Sequence, residues 1–122
     1  MISDAEVEAF VCSSFRTVWA LELLQFLLAD NRGHSRAELV SALRASDAVI
    51  AQSLAALRAV DLVLIEADGS VRINRADDRT FELIGATIDL YLKSPDRIRR
   101  LIISSSSPGV TAFADAFRLR KD

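Results

Sequence analysis

The stretch Ser35–Asn74, SRAELVSALRASDAVIAQSLAALRAVDLVLIEADGSVRIN, decides the fold. Ser35-Arg36-Ala37-Glu38 is a capping-box pattern, in which the serine hydroxyl accepts from the amide three residues on and the glutamate reaches back. A short helix should follow, with Leu39, Val40 and Leu43 on its inner face. Ala45-Ser46-Asp47 makes a corner, and Ser46 suits the N-cap of a second helix. In that helix Ile50, Leu54 and Leu57 recur at helical spacing and should face the core. Ala48, Ala51, Gln52, Ala55 and Arg58 lie away from that stripe. Val63, Leu64 and Ile65 are β-formers, and Asp68-Gly69 supplies the positive φ angles of a tight hairpin. Val71 and Ile73 alternate with Arg72 and Asn74, as in a half-buried return strand.

Upstream, Ser3-Asp4-Ala5-Glu6 is another capping box, opening a helix to about Cys12. Ser13 or Ser14 then offers a cap for a helix over Phe15–Ala29 that is apolar on several faces, ended by Asp30-Asn31-Arg32-Gly33. Downstream, residues 75–79 read as a charged linker and Thr80–Lys93 as a helix with the stripe Phe81, Ile84, Ile88, Tyr91 and Leu92. Ser94-Pro95 breaks it and starts another helix through Ile103. A joint at 104–109 precedes a short amphipathic helix, Val110–Arg120, carrying Phe113, Phe117 and Leu119. This order predicts a mainly α protein with a small β-ribbon: a winged helix-turn-helix with N-terminal and C-terminal helical extensions. The whole chain, 1–122, reads as one domain, with its core at 13–75 and the C-terminal extension at 79–122.

A length of 122 residues and a hydrophobic fraction of 51% support one real core and exclude general disorder. The formal net charge is −2, whereas a free-standing nucleic-acid binder usually carries a basic footprint. The charge is uneven. Residues 1–61 hold five arginines against eight acids, and residues 93–122 hold seven basic residues against three acids. A single cysteine excludes an intramolecular disulfide and fits a reducing compartment. The N-terminus carries Asp4, Glu6 and Glu8 where a secretory signal has basic residues. Val18–Ala29 is too short to span a membrane. The expected setting is the cytoplasm, with no membrane contact.

Two functional readings follow. In the first, Ser46–Val60 reads DNA: Gln52 meets base edges, and Ser46 and Ser53 meet bases or phosphates. Arg36 and Arg44 then serve the backbone, Arg58 is the one basic residue of the reading helix, and Arg72 or Arg75 on the wing reaches phosphate or the minor groove. In the second, Ala48, Ala51, Ala55 and Ala59 form a smooth face for protein packing. The domain is then an adaptor that acts on a protein partner, such as one of the transcription machinery, without DNA. Asp47 helps the helix dipole yet repels phosphate. The first reading is preferred here: a DNA-binding transcriptional regulator, made a homodimer by its all-round apolar helices.

No enzyme is expected. The sequence has no glycine-rich phosphate loop, no serine elbow and no carboxylate pair, so neither catalytic residues nor a metal or other cofactor are predicted. His34 reads as a loop residue without ligand partners, Cys12 as a buried small hydrophobe and Trp19 as core or interface. Arg97, Arg99 and Arg100 read as a solvated face with local pairing to Asp96, ahead of a phosphate track.

Over Phe15–Asn74 the chain resembles winged helix-turn-helix regulators of the MarR-like type. The likeness is carried by SRAEL at the first helix start, by ASDAVIAQSLAALRAVDLV running into the strand, and by EADGSVRI in the wing. It implies a major-groove helix, a wing on the flanking backbone and a bacterial homodimer, with Gln52, Ser53, Arg58 and Arg72 at the contact positions. The chain departs from that pattern in its few basic residues, short wing and acidic balance. FRTVWALELL and FADAFRLRKD also resemble a small bacterial family of unassigned activity.

Overall fold

Three serines, one threonine and one aspartate set where the first five helices begin. In this computed structural model, which describes residues 2–106, the order is α1 (Asp4–Ser14), α2 (Val18–Ala29), α3 (Arg36–Leu43), α4 (Asp47–Ala59), β1 (Val63–Ile65), β2 (Val71–Ile73), α5 (Asp78–Lys93) and α6 (Pro95–Ser106). Ser3 forms the full capping box with Glu6. Ser46 accepts the Val49 amide at 3.2 Å, as expected.

Elsewhere the caps differ from expectation. Ser13 and Ser14 remain inside α1, and Thr17 caps α2 by accepting from Ala20 at 3.1 Å. Phe15 therefore belongs to the corner between the two helices, where its ring meets Phe10 edge-on at 5.8 Å. At α3 only half of the box forms. Ser35 accepts the Glu38 amide at 3.1 Å, but the Glu38 side chain turns to His34 and Arg32. Asp77, inside the expected linker, caps α5 and starts it at Asp78. α6 runs on through Ser106, so the joint expected from Ser104 begins inside the helix. The expected helix Val110–Arg120 lies outside the described residues.

α2 is the central helix. Ala20, Leu21, Leu23, Leu24 and Leu27 are all buried, against α4 on one side and β2, α3, α5 and α6 on the others. Most of its apolar surface is thus covered within one chain, with Trp19 left exposed. Ile50, Leu54 and Leu57 of α4 face this core as the spacing predicts. In α5, Ile84, Ile88 and Tyr91 are buried, but Leu92 is 63% exposed and leaves the stripe. Tyr91 ties three helices: its hydroxyl donates to Glu22 on α2 at 3.0 Å and accepts from Arg99 on α6 at 3.3 Å. Burial pushes the Tyr91 phenol above its ordinary value.

β1 and β2 pair antiparallel in the register Val63 with Ile73 and Ile65 with Val71. Gly69 has φ +88°, but Asp68 does not share a positive φ. The hairpin is a three-residue loop, Ala67-Asp68-Gly69, closed by Glu66 N–H to Ser70 carbonyl at 2.8 Å. Asp68 accepts both the amide and the hydroxyl of Ser70, and these bonds lower its carboxyl below the ordinary range. On the other side of β2, His34 exchanges backbone hydrogen bonds with Val71 at 2.9 and 2.8 Å. Among the described residues no single helix is long and apolar enough to cross a membrane.

Candidate interaction surface on helix α4

α3 and α4 meet at a tight corner. Arg44 ends α3 in the left-handed region at φ 53°, which turns the chain so that Ser46 can cap α4. Its side chain is exposed. Across the corner, Arg36 grips Asp47 in a two-pronged pair, Nε to Oδ1 at 2.9 Å and an Nη to Oδ2 at 2.6 Å. The acid at the start of α4 therefore holds one of the cations expected to meet phosphate.

The other expected DNA contacts are dispersed in the same way. On the ribbon, Arg72 pairs with Glu66 at 2.6 Å. Arg75 stacks its guanidinium carbon 4.4 Å from the centre of the Phe81 ring. Ser53 is buried and unable to meet a base or phosphate, because it lies on the core flank of α4 beside Ile50, Leu54 and Leu57. The Ser46 hydroxyl serves the Val49 amide. Only Gln52, Arg44 and Arg58 of the set are exposed without a side-chain hydrogen bond, ion pair or stacking partner among the described residues.

Both partners of the Arg36–Asp47 pair are half-exposed or more, with side-chain accessibilities of 48% and 70%. Such pairs contribute no more than about 1 kcal/mol. Arg36→Ala is accordingly expected to leave the denaturation midpoint within that range. A larger loss would mean that the corner depends on the pair.

Of the four alanines, Ala48, Ala55 and Ala59 are exposed and Ala51 is half-buried. A second feature of α4 was not anticipated. Its side toward the α1–α2 corner borders two cavities. One, of about 240 Å³, is lined by Arg16, Thr17, Trp19, Val49, Gln52, Ser53 and Ala56. The other, of about 310 Å³, is lined by residues 12–16 with Ala56, Ala59, Val60 and Ser105. Arg16 and Ala56 line both, so the two form one groove. Trp19, 39% exposed, stands at one end and Val60, 38% exposed, at the other. Cys12, expected in the core, is exposed and opens into this groove because α1 turns only Val7, Val11 and Ser14 inward. The signal was present as Val49, Gln52, Ala56 and Val60 at helical spacing, but only the bend between α1 and α2 makes it a groove.

A second cluster surrounds His34, which is fully buried where a loop residue was expected. Its Nδ1 lies 2.7 Å from Glu38 and its Nε2 2.8 Å from the Asp30 carbonyl, while the ring sits 4.9 Å from that of Phe26. Arg32 donates to the same Glu38 oxygen at 2.5 Å. Asp30, His34 and Glu38 fall at four-residue spacing, and their ligand atoms lie within 4.8 Å of one another. The two ring nitrogens point to different acceptors, and a guanidinium already occupies the carboxylate. The arrangement fits an ion-pair network better than a metal site, because one ion cannot take both faces of the imidazole.

Hydrogen bonds from His34 and then Arg32 hold the Glu38 carboxyl below its ordinary value of 4.5. Its contribution to stability is full above that value and drains away as pH falls through the lower folded value. Glu38→Gln is expected to flatten this part of the acid-unfolding curve. Coincident acid limbs for variant and wild type would show that the network does not contribute to pH stability.

Arg97 also departs from its expected local pairing. It reaches Glu8 at 2.6 Å and Asp4 at 3.5 Å on α1, and only Arg99 pairs with Asp96, at 3.6 Å. Compared with protein-family models, with curated proteins and with solved structures, the chain matches none.

Proposed function

We propose that the chain is a winged helix-turn-helix protein-interaction adaptor, a non-enzymatic module whose α4 surface takes a helix of a protein partner. The observation that carries this reading is the groove along α4, with Trp19, Val49, Ala56 and Val60 on its walls. Amphipathic helices dock into such grooves through apolar residues three and four positions apart. Charge supports the same choice over a DNA-binding regulator. Duplex affinity depends on cations free to replace counterions. Asp47, Glu66 and Phe81 hold three of the five candidate arginines. The single exposed Cys12 suits a reducing, cytoplasmic setting.

Titration with duplex DNA at low ionic strength is expected to give no salt-dependent binding. A salt-dependent isotherm whose slope falls on Arg44→Ala and Arg58→Ala would restore the DNA reading. A stoichiometric protein partner is expected to be lost on Ala59→Arg, a change at an exposed position that lines the groove. Its retention would move the partner off this surface. Most of α2 is covered by its own chain, so the sequence argument for a homodimer, built on α2 and α5, keeps only exposed residues such as Trp19 and Leu92. Sedimentation is expected to give the single-chain mass of 13.4 kDa, and twice that mass would reinstate the dimer.

A further inference from the structure

We infer that the groove beside α4 is the docking site of this chain's own C-terminal segment, residues 107–122, so that the adaptor surface is masked by a built-in ligand. The inference rests on the reading of α4 as a helix-docking surface.

The position of the chain's exit carries the argument. Ser105, in the last turn of α6, lines the groove together with Cys12, Phe15 and Val60. The sequence that continues from Ser106 therefore starts at the mouth of the groove. It contains Val110, Phe113 and Phe117, which fall on one face at helical spacing, and it holds two of the six phenylalanines in the protein. From Val60 to Val49 the groove follows eleven residues of α4, roughly 16 Å at the helical rise. Phe113 is seven residues beyond Ser106, a reach of up to about 23 Å if extended. The segment is thus long enough to carry an aromatic ring to Trp19, and short enough to stay beside the groove. A short tether also gives an effective concentration on the order of millimolar. A free partner or a second copy has to exceed that concentration to compete. Arg118, Arg120 and Lys121 follow the aromatic pair. They leave the apolar part of the segment to fill a groove whose walls are mostly uncharged.

The protein carries its own reporters. Trp19 is the sole tryptophan and Cys12 the sole cysteine, and they line the two halves of the groove. In the full chain, docking is expected to shift Trp19 emission to the blue, to slow its quenching by acrylamide and to slow thiol labelling of Cys12. The full-length Phe113→Ser/Phe117→Ser variant is expected to lose all three effects with an unchanged far-ultraviolet dichroism spectrum. A synthetic peptide of residues 107–122, added to that variant, is expected to restore them. Gln52→Arg, at an exposed groove position, is expected to reproduce the loss with the segment intact. Equal emission and equal labelling rates in wild type and double variant, with no response to the peptide, would overturn the inference. Shielding that grows with protein concentration would overturn it too, since the occupant would then be a second copy. A partner still captured by the wild type and lost on Ala59→Arg would, in either case, leave the adaptor function standing.

Discussion

Replacing His34 by alanine is expected to destabilise the protein by about 3 kcal/mol and to lower its melting temperature by roughly 12 °C. The side chain has no solvent exposure, so its removal opens a cavity beside Phe26. It also removes the ring-nitrogen partners of Glu38 and of the Asp30 carbonyl. The effect should spread along the chain, because His34 sits between the end of α2 and the start of α3 and its backbone is paired to Val71 of β2. His34→Phe, which refills the volume but not the hydrogen bonds, should recover only part of the loss. Thermal and denaturant unfolding of the three proteins measure this directly. A loss under about 1 kcal/mol for the alanine variant would mean that the network carries little of the fold's stability.

Trp19→Ala is expected to weaken helix binding in the groove by about 30-fold, the size of effect seen when an aromatic anchor is truncated. Trp19 is 39% exposed and lines the cavity opposite Val49, Gln52 and Ala56. A docking helix would cover the ring that now faces solvent. The folded state should change much less than for a core residue, because α2 is anchored by Leu21, Leu23, Leu24 and Leu27 on its other sides. Calorimetric titration with the peptide 107–122, or with a captured partner, gives the affinity, and thermal melting gives the control. Equal affinities for wild type and variant would remove the Trp19 end of the groove from the site.

The element order could be read from residue patterns because it is written in local chemistry. Ser3, Ser35 and Ser46 cap helices at the expected places, and Gly69 turns the hairpin. What escaped was decided by residues distant in sequence. Arg36 looked available for phosphate until the corner brought Asp47 eleven positions away into its fork. His34 looked like a loop residue because nothing local reveals that β2 will close over its backbone. Cys12 looked buried from its neighbours Phe10 and Val11, yet the helical turn points it outward. The groove depends on the 114° bend between α1 and α2, a tertiary angle that spacing along one helix does not contain.

The packing of α1 has a consequence for how the chain folds. Its ion-pair partners come late: Arg79 lies 73 residues after Glu6, and Arg97 lies 89 and 93 residues after Glu8 and Asp4. α1 leaves the ribosome well before α5 and α6, the helices it packs against. Contacts of such long sequence separation form slowly, since a long loop must close before they stabilise anything. Until then Val7, Val11 and Phe15 have no complete site to enter. An early helix therefore docks late, and its apolar side stays uncovered until α5 and α6 have been made.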